Sequence, residues 1–193
     1  MLVHWRAEEE KGRPFFKVIR CKAYPPPFFT NLFAVNAALK AAWVDASDPP
    51  PPSLVLAELL FGMYEVCLTM QWVSGRDASG DDLAENGCAV IPVAEAIAWL
   101  ARHGLLYTDL RAPNVRISPS GDVVLVDYDD LVICDPPLAA GAPFVALAER
   151  FSTLGDAVWM RQGCGNLPAV WSKLEQVWER RRTGDGGQPG RPS

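Results

Sequence analysis

The N-terminal part of the chain shows two β-prone segments followed by a helical apolar pattern. Residues 2–9 and 15–22 are rich in β-branched and aromatic side chains, and the Lys-Gly-Arg-Pro sequence between them predicts a hairpin turn. Residues 28–43 repeat apolar side chains at helical spacing, which predicts a helix with Thr30 or Asn31 as its N-cap. The pattern therefore predicts an early pair of strands and one helix.

The next stretch predicts a stiff linker and two further strands. Four consecutive prolines within residues 45–53 exclude a helix interior or an inner strand and indicate an exposed, rigid linker. Residues 54–60 are apolar and residues 64–73 have the composition of a strand, so we expect two adjacent strands. Residues 74–87 are polar and contain glycine, which is typical of an exposed connector or a short helix.

Helical patterns dominate the C-terminal half. Apolar spacing predicts a helix over residues 90–102, and Gly104 is expected to end it. Residues 144–151 and 167–182 predict two more helices, whereas residues 183–193 have almost no hydrophobic side chains and are predicted to be disordered. Three C-terminal tryptophans are expected in the core: Trp159, Trp171 and Trp178.

Within this half, residues 105–130 set polar residues among apolar ones. Asp109 and Asn114 bracket a short loop, and an apolar strand over residues 123–126 ends on Asp127. Burying a carboxylate without a partner costs several kcal/mol, so carboxylates beside a core strand require a metal, another cation or solvent. An Asp and an Asn at this spacing are also common in turns, where their side chains cap backbone groups.

The order of the elements predicts an α+β fold in two lobes, because strands with one helix precede a mainly helical half. We expect residues 1–75 to form a small β-rich lobe that includes the linker. Residues 76–182 are expected to form a helical lobe and residues 183–193 a disordered tail. A chain of 193 residues is long enough for one large domain or two small lobes.

Composition and charge indicate an ordinary globular protein of the cytoplasm. The net charge of −5 and the pI near 5.0 argue against a nucleic-acid partner, which usually needs a basic face. No apolar run is long enough to span a membrane, and the first residues lack a signal-peptide pattern. The cysteines lack a CxxC pair and are expected to be reduced, mostly buried thiols: Cys21, Cys67, Cys88, Cys134 and Cys164.

Two sequence motifs in the central stretch resemble a known catalytic site. Residues 107–115 read YTDLRAPNV and residues 124–129 read VLVDYD. They resemble the catalytic loop and the metal-binding motif of the protein-kinase-like superfamily, and in particular its small divergent kinases and aminoglycoside- or choline-type phosphotransferases. The resemblance implies a two-lobed fold with a truncated small lobe and a short, mainly helical large lobe. It also implies ATP-dependent phosphoryl transfer to a hydroxyl on a protein or small molecule.

The resemblance assigns roles to four residues of the central stretch. Phosphoryl transfer needs mainly positioning and charge neutralisation, and Mg²⁺ prefers carboxylate and amide oxygens together with phosphates and water. Asn114 and Asp127 are the implied Mg²⁺ ligands. Asp109 is implied to accept the hydrogen bond of the incoming hydroxyl, and Arg111 is implied to place a cation near the transferring phosphate.

The nucleotide site implied by the resemblance lies in the N-terminal half. Lys17 is implied to hold the α- and β-phosphates of ATP, although a solvated lysine on an edge strand gives the same pattern. Met70, Gln71 and Trp72 match the end of the last small-lobe strand and the hinge that holds adenine. Residues 90–104 match the helix that precedes the catalytic loop. The implied cofactors are ATP and Mg²⁺, and no motif identifies the acceptor.

Departures from the family pattern leave other functions open. No GxGxxG sequence occurs, and the predicted helix over residues 28–43 has no acidic residue to pair with Lys17, for which Glu58 is a distant substitute. Tyr107 stands in place of the loop histidine, and Asp129 in place of the glycine of the metal motif. The alternatives are a pseudokinase that binds a nucleotide or partner without turnover, and a metal-binding α+β protein without a nucleotide site.

Overall fold

The computed structural model describes most of the chain between residues 3 and 183. Its backbone is described for residues 3–4, 14–20, 26–61, 65–71, 73–128, 130–154 and 167–183. Side chains are described for residues 28–56, 73–128, 130–154 and 167–183.

The described residues form nine strands and four α-helices, an α+β arrangement. The strands are β1 (Val3–His4), β2 (Pro14–Arg20), β3 (Ala57–Phe61), β4 (Glu65–Gln71), β5 (Arg76–Asp77), β6 (Leu105–Tyr107), β7 (Val115–Ile117), β8 (Val123–Leu125) and β9 (Leu131–Ile133). The helices are α1 (Pro26–Trp43), α2 (Val90–Arg102), α3 (Phe144–Thr153) and α4 (Pro168–Arg182). Two short 3₁₀ turns cover Asp81–Leu83 and Ala112–Asn114.

The N-terminal strands form one antiparallel sheet in the order β1-β2-β4-β3. The antiparallel pairing expected of the predicted hairpin is confirmed, since Val3 pairs with Val18, while its turn lies outside the described residues. The two adjacent strands predicted next are also confirmed, with Phe61 opposite Val66. The β-branched and aromatic composition of these segments suits paired, pleated backbone, which explains why the sequence pattern identified them.

The C-terminal half contains two small antiparallel sheets that position the central stretch. One has the order β5-β7-β8, and the other consists of β6 and β9. The apolar strand predicted over residues 123–126 is confirmed as β8, but β6, β7 and β9 were missed. Each has three residues, which is too short for alternation to distinguish a strand from a loop. Strand β8 has the same length but was identified from its run of β-branched and aliphatic residues and not from alternation.

Helix α2 lies at the centre of the hydrophobic core and confirms the helix predicted over residues 90–102. Nine of its thirteen residues are buried, among them Trp99. Only one narrow side of the helix, at Ile91 and Glu95, is exposed, and the alanines on the other sides allow neighbouring elements to approach closely. Helix α4 and strands β6 and β8 pack against it. Gly104 follows the helix with a φ of 75°, as expected for a glycine that ends a helix.

Helix α1 begins earlier than the pattern predicted and corrects one expectation. It starts at Pro26, so Thr30 and Asn31 both lie inside the helix and neither is its N-cap. The Asn31 side chain instead donates a hydrogen bond to the carbonyl oxygen of Leu131, 2.9 Å away. The buried side of the helix carries Leu32, Val35 and Leu39.

The two C-terminal helices agree with their predicted positions. Phe144 of α3 packs on Trp171 of α4 with ring centroids 5.0 Å apart. Trp178 is buried as expected, and its indole nitrogen donates to the carbonyl oxygen of Ala142 at 2.8 Å. Trp171 is partly buried against the core. The prediction for Trp159 lies outside the described residues, as does the disordered tail expected after Thr183.

The proline-rich segment 45–53 corrects the expectation of an exposed linker. Part of it is exposed, but Ser53 is buried, and its hydroxyl donates to the carbonyl oxygen of Pro92 at 2.9 Å. The indole nitrogen of Trp99 donates to the carbonyl oxygen of Asp48 at 2.8 Å. Because the prolines have no backbone N–H to donate within the segment, the Asp48 carbonyl oxygen accepts from the Trp99 side chain of α2 instead. The segment is therefore anchored on α2.

The Asp48 carboxylate joins helices α2 and α4. Arg102 Nη2 lies 2.9 Å from Asp48 Oδ2, and Arg181 Nη1 lies 2.9 Å from Asp48 Oδ1. Partial burial alone would raise the pKa of Asp48, but the hydrogen bonds and positive charge of Arg102 and Arg181 outweigh it and hold that pKa below its ordinary value. The carboxylate therefore stabilises the fold in its charged form.

Asp48→Asn is expected to lower the free energy of unfolding at pH 7 by about 1 kcal/mol, because solvent screens this half-exposed cluster. A lowered folded-state pKa stabilises the protein above the unfolded-state pKa of about 3.9, and this stabilisation disappears as the pH falls through the folded-state value. Urea denaturation between pH 7 and pH 3 should therefore show the two proteins converging below about pH 4. Asp81→Asn, on an exposed carboxylate, is the control, and an equal loss in both variants would contradict the assignment.

The polar connector over residues 74–87 is more ordered than its composition indicated. Arg76 forms a bidentate ion pair with Asp82, whose carboxylate also accepts bonds from the Ser79 backbone and hydroxyl. These bonds hold the pKa of Asp82 far below its ordinary value, with Arg76 the largest cause. Leu83 is fully buried, so the connector contributes to the core.

Gly75 allows two backbones to meet at the start of this connector. Its φ is 131°, and a β-carbon built on it would lie 2.0 Å from the carbonyl oxygen of Ile117. Beside it, Arg116 bonds the carbonyl oxygen of Gly75 and the carboxylate of Asp77. The contact fixes β5 on β7 and requires a residue without a side chain.

Gly75→Ala is expected to destabilise the protein by roughly 2–4 kcal/mol, because it combines an unfavourable φ with a backbone clash. Gly121→Ala is the matched control: Gly121 also has a positive φ, of 90°, but a β-carbon there would meet nothing within 4 Å. The control should lose only about 1–2 kcal/mol in chemical denaturation. Equal losses in the two variants would show that the close approach to Ile117 has no energetic weight.

The described cysteines agree in part with the expected buried thiols. Cys134 is buried, whereas Cys88 is exposed, and both are free. The predictions for Cys21, Cys67 and Cys164 concern side chains outside the described residues. Among the helices of the described chain, none has the length and apolarity required to cross a membrane.

Candidate active site

The loop between β6 and β7 carries three of the predicted site residues. It leaves β6 after Tyr107 and returns through the 3₁₀ turn Ala112–Asn114, where the backbone N–H of Asn114 donates to the carbonyl oxygen of Arg111 at 2.9 Å. Proline within this short turn preorganises its backbone. The loop is therefore held by local bonds before any ligand is considered.

Asn114 and Asp109 contact each other directly across this loop. The Asn114 amide nitrogen donates to both the backbone oxygen and carboxylate Oδ2 of Asp109, each at 2.9 Å. Asn114 is 5% exposed, and the Asp109 side chain is 21% exposed. The bond to the Asp109 backbone is the turn-capping interaction that the spacing also indicated. Because the amide nitrogen is engaged by Asp109, a cation at this position would meet the amide oxygen of Asn114.

Arg111 forms an ion pair with Asp109 at the mouth of the loop. Its Nη2 atom lies 2.9 Å from Asp109 Oδ2, the same oxygen that accepts from Asn114. The Arg111 side chain is 60% exposed. It can therefore exchange Asp109 for another anion with little loss of packing.

Asp127 adopts an unusual backbone conformation directly after β8. Its φ is 69°, in the left-handed region that residues with a side chain rarely occupy. The preceding residue, Val126, donates its backbone N–H to the carbonyl oxygen of Asn114 at 2.8 Å. This bond joins the residue before Asp127 to the end of the loop between β6 and β7. Such strained residues concentrate at functional sites, which makes the conformation of Asp127 informative.

Tyr107 joins these parts of the site. It is 1% exposed, and its hydroxyl donates to the carbonyl oxygen of Val126 at 2.7 Å. Burial raises its pKa well above the ordinary value, and the charges of Asp127 and Asp109 and the neighbouring Tyr128 raise it further, against an opposing hydrogen bond from Asn114. The phenol therefore remains protonated, and its bond to Val126 connects β6 to the residue that precedes Asp127.

Sequence reasoning treated Tyr107 only as a departure from the family histidine. The structure gives it a hydrogen-bonding role at that position. A tyrosine after two leucines and directly before a Thr-Asp pair was the available signal, but its acceptor is nineteen residues away in the chain. The role of Thr108 was also missed: its hydroxyl donates to the backbone oxygen of Asp130.

Tyr128 is the second buried tyrosine of the site. Its hydroxyl donates to the carbonyl oxygen of Leu125 at 2.7 Å and accepts the backbone N–H of Val55 at 3.3 Å. Burial raises its pKa above the ordinary value. The ring packs edge-on against Tyr107, with centroids 6.5 Å apart. Asp129, the third residue of the predicted metal motif, lies outside the described residues.

The predicted nucleotide residues lie on neighbouring strands of the N-terminal sheet. In its register Lys17 pairs with Leu68, Met70 with Phe15, and Gln71 with Pro14. Glu58 pairs with Thr69, in the row next to that of Lys17. The side chains of Lys17, Met70, Gln71 and Glu58 and all of Trp72 lie outside what is described, so their predicted roles stay predictions.

The donor atoms of the site suit a hard cation completed by other ligands. In the described part of the chain, no group of three or more His, Cys, Asp or Glu side chains could hold a metal by itself. Asp127 offers a carboxylate and Asn114 an amide oxygen. Mg²⁺ is commonly bound by one or two protein oxygens, with phosphates and water completing its shell. The chemistry of these two donors therefore fits Mg²⁺, with its other ligands supplied from outside this pair.

The sequence matches no protein-family model, and a comparison with curated proteins finds no significant relative. The functional interpretation therefore depends on the residues of the site.

The φ of Asp127 gives a direct stability prediction. Asp127→Gly should be more stable than Asp127→Ala by about 1 kcal/mol, because glycine adopts a positive φ without steric cost. Among the described non-glycine residues, Asp127 alone has a positive φ, so the same pair of substitutions at Asp122 should show the opposite order. Thermal denaturation of the four variants measures both differences, and an identical order at the two positions would contradict the backbone assignment.

Proposed function

We propose that this protein is an ATP- and Mg²⁺-dependent phosphotransferase of the protein-kinase-like superfamily. It would transfer the γ-phosphoryl group to a hydroxyl on a protein or small molecule. One observation supports this most strongly: the Asn114 amide bonds the Asp109 carboxylate at 2.9 Å, and the Asn114 backbone bonds Val126, the residue directly before Asp127. The buried Tyr107 hydroxyl bonds the same Val126. A carboxylate–amide–carboxylate set at the edge of a core suits phosphoryl transfer, which depends on positioning and charge neutralisation.

The proposed architecture has two lobes. The N-terminal sheet and α1 would form the small lobe, within residues 1–75, and α2 to α4 with the two small sheets would form the large lobe, within residues 76–182. The α+β content and the separate N-terminal sheet are compatible with this division. The proposed location is the cytoplasm.

The residues nearest the transferred group would act through charge and orientation. Asp127 and the amide oxygen of Asn114 would hold Mg²⁺, which when bound neutralises phosphate charge. Asp109 would accept a hydrogen bond from the acceptor hydroxyl and orient it towards the phosphate. Arg111 is exposed and already paired with a carboxylate, so it could place its charge beside the transferring group.

The nucleotide would lie towards the N-terminal sheet. Lys17, on β2, would hold the α- and β-phosphates. Adenine would lie against the end of β4, where Met70, Gln71 and Trp72 form the proposed hinge. The register supports this arrangement, since β2 and β4 are adjacent over their whole length.

The alternative is a pseudokinase that binds a nucleotide or a partner without turnover, and one feature of the site favours it. Asp109 Oδ2 has two donors, Arg111 and Asn114, both at 2.9 Å. An acceptor hydroxyl would have to compete with a charge-assisted bond for this carboxylate, which lowers the capacity of Asp109 to orient it. The missing partner for Lys17 within α1 points in the same direction.

Substitutions at Asp109 and Asp127 separate chemistry from binding. Asp109→Asn should retain Mg-ATP binding within about threefold but lower turnover of γ-labelled ATP by about 100-fold or more, because it removes the acceptor of the incoming hydroxyl. Asp127→Asn should weaken Mg-ATP binding about tenfold or more, because it removes the ligand charge. Isothermal titration calorimetry measures binding, and release or transfer of labelled phosphate measures turnover.

Asp81→Asn is the control for removing a carboxylate elsewhere and should leave both measurements unchanged. Binding of Mg-ATP with no turnover in the wild type would support the pseudokinase. Absence of Mg-ATP binding to the folded wild-type protein would overturn the phosphotransferase and leave only a pseudokinase that binds a partner.

A further inference from the structure

The turn that follows β8 is bonded to the loop between β6 and β7. Before the turn, both backbone polar groups of Val126 are bonded: its N–H donates to the Asn114 carbonyl oxygen, and its carbonyl oxygen accepts from the Tyr107 hydroxyl. After Asp127, the Thr108 hydroxyl bonds the backbone of Asp130. The loop between β6 and β7 and the turn after β8 therefore form one hydrogen-bonded unit.

A second set of bonds connects this turn with the N-terminal sheet. The Tyr128 hydroxyl accepts the backbone N–H of Val55, and Val55 lies two residues before β3. Tyr128 is 2% exposed, so this bond forms away from solvent. Phenylalanine would fill nearly the same volume but would leave the Val55 N–H and the Leu125 carbonyl without this partner.

The chain leading into β3 follows β8 closely on the same side. The backbone N–H of Leu125 donates to the carbonyl oxygen of Ser53 at 2.8 Å. Leu54 and Leu125 form an isolated parallel bridge. The Tyr128 bond thus extends a backbone contact that already joins segment 53–55 to β8.

Helix α1 provides another connection to the same turn. Asn31 donates its side-chain N–H to the carbonyl oxygen of Leu131 at 2.9 Å, over a separation of 100 residues in the chain. The helix packs against both β9 and β3. A polar side chain placed between two apolar elements, with its bond formed to backbone, specifies one docking position for the helix.

We propose that Tyr128 and Asn31 are positioning residues that couple occupation of the Asp127 site to the order of the chain entering β3. This inference rests on the proposed function, since Mg-ATP is taken as the ligand. Neither side chain is proposed to touch the ligand. Their hydrogen bonds fix the turn between the two halves, so a ligand that favours one conformation of Asp127 also favours the bonded state of Val55.

Coupling of this kind is reciprocal, because the two processes share one equilibrium. Mg-ATP bound at Asp127 should reduce local opening of segment 53–61 and slow amide exchange there. Loss of the Tyr128–Val55 bond should remove this effect without removing the ligand-binding atoms. A bond that only stabilises the fold would change exchange in the absence of ligand and leave the response to ligand intact.

Amide hydrogen exchange of the full chain, with and without saturating Mg-ATP, tests the coupling. In the absence of nucleotide, Tyr128→Phe is expected to raise the exchange rate of the Val55 amide about three- to tenfold, the range for one hydrogen bond. In the wild type, Mg-ATP is expected to slow this exchange about threefold or more, and in Tyr128→Phe the slowing is expected to vanish. Asn31→Ala removes the bond from α1 to Leu131 and should also weaken the slowing of Val55 exchange by Mg-ATP. This variant provides the test if Tyr128→Phe does not fold.

Ser53→Ala is the matched control. It removes a hydrogen bond of the same segment, but one made to Pro92 of α2 and not to the turn. In Ser53→Ala the Val55 amide should exchange faster than in the wild type when no ligand is present. Mg-ATP should slow this exchange by the same factor as in the wild type. Loss of the response in this control would show that any weakening of the segment has the same effect, and it would overturn the assignment to Tyr128.

Calorimetry on the wild type separates failure of this inference from failure of the proposed function. If Mg-ATP binds but does not change Val55 exchange, the coupling is overturned and the phosphotransferase proposal stands. An unchanged response to Mg-ATP in both Tyr128→Phe and Asn31→Ala also overturns the coupling. If Mg-ATP does not bind the wild type, the proposed function fails, and the inference fails with it.

Discussion

The nearly complete burial of α2 is the constraint on which the rest of the structure depends. Nine of its thirteen residues are buried and only a narrow side at Ile91 and Glu95 is exposed, so nearly every side of the helix has to be covered by another element. Helix α4, β6, β8 and the proline-rich segment provide this cover. The requirement explains why segment 45–53 is anchored on the helix, with Asp48 joined to Arg102 and Arg181, although its composition is that of an exposed linker.

The candidate site lies at the edge of this core and depends on its rigidity. Two buried tyrosines, Tyr107 and Tyr128, bring hydroxyl donors to the backbone around Asp127, where apolar side chains would leave carbonyl groups unpaired. Burial keeps both phenols protonated and therefore able to donate. The positive φ of Asp127 is maintained because the residues before and after it are bonded.

Long patterns predicted the elements well, and short ones did not. The helices over residues 90–102, 144–151 and 167–182 and the N-terminal strands were identified because each gave several periods of a repeat. The three-residue strands β6, β7 and β9 gave no full period, and their identity depends on partners elsewhere in the chain. Asn31 was taken for a helix cap for the same reason: its acceptor, Leu131, is 100 residues away.

The sequence by itself determined the α+β composition, the central helix and the spacing of Asp109, Asn114 and Asp127, because these depend on local propensity and on order along the chain. Tertiary structure alone decided that Asn114 bonds both Asp109 and the residue before Asp127, that Asp48 joins two helices and that Tyr128 reaches Val55. Such contacts depend on the directions in which side chains leave a folded backbone. Hydrophobic periodicity predicts which face of an element is buried, but it does not predict which polar group that face will contact.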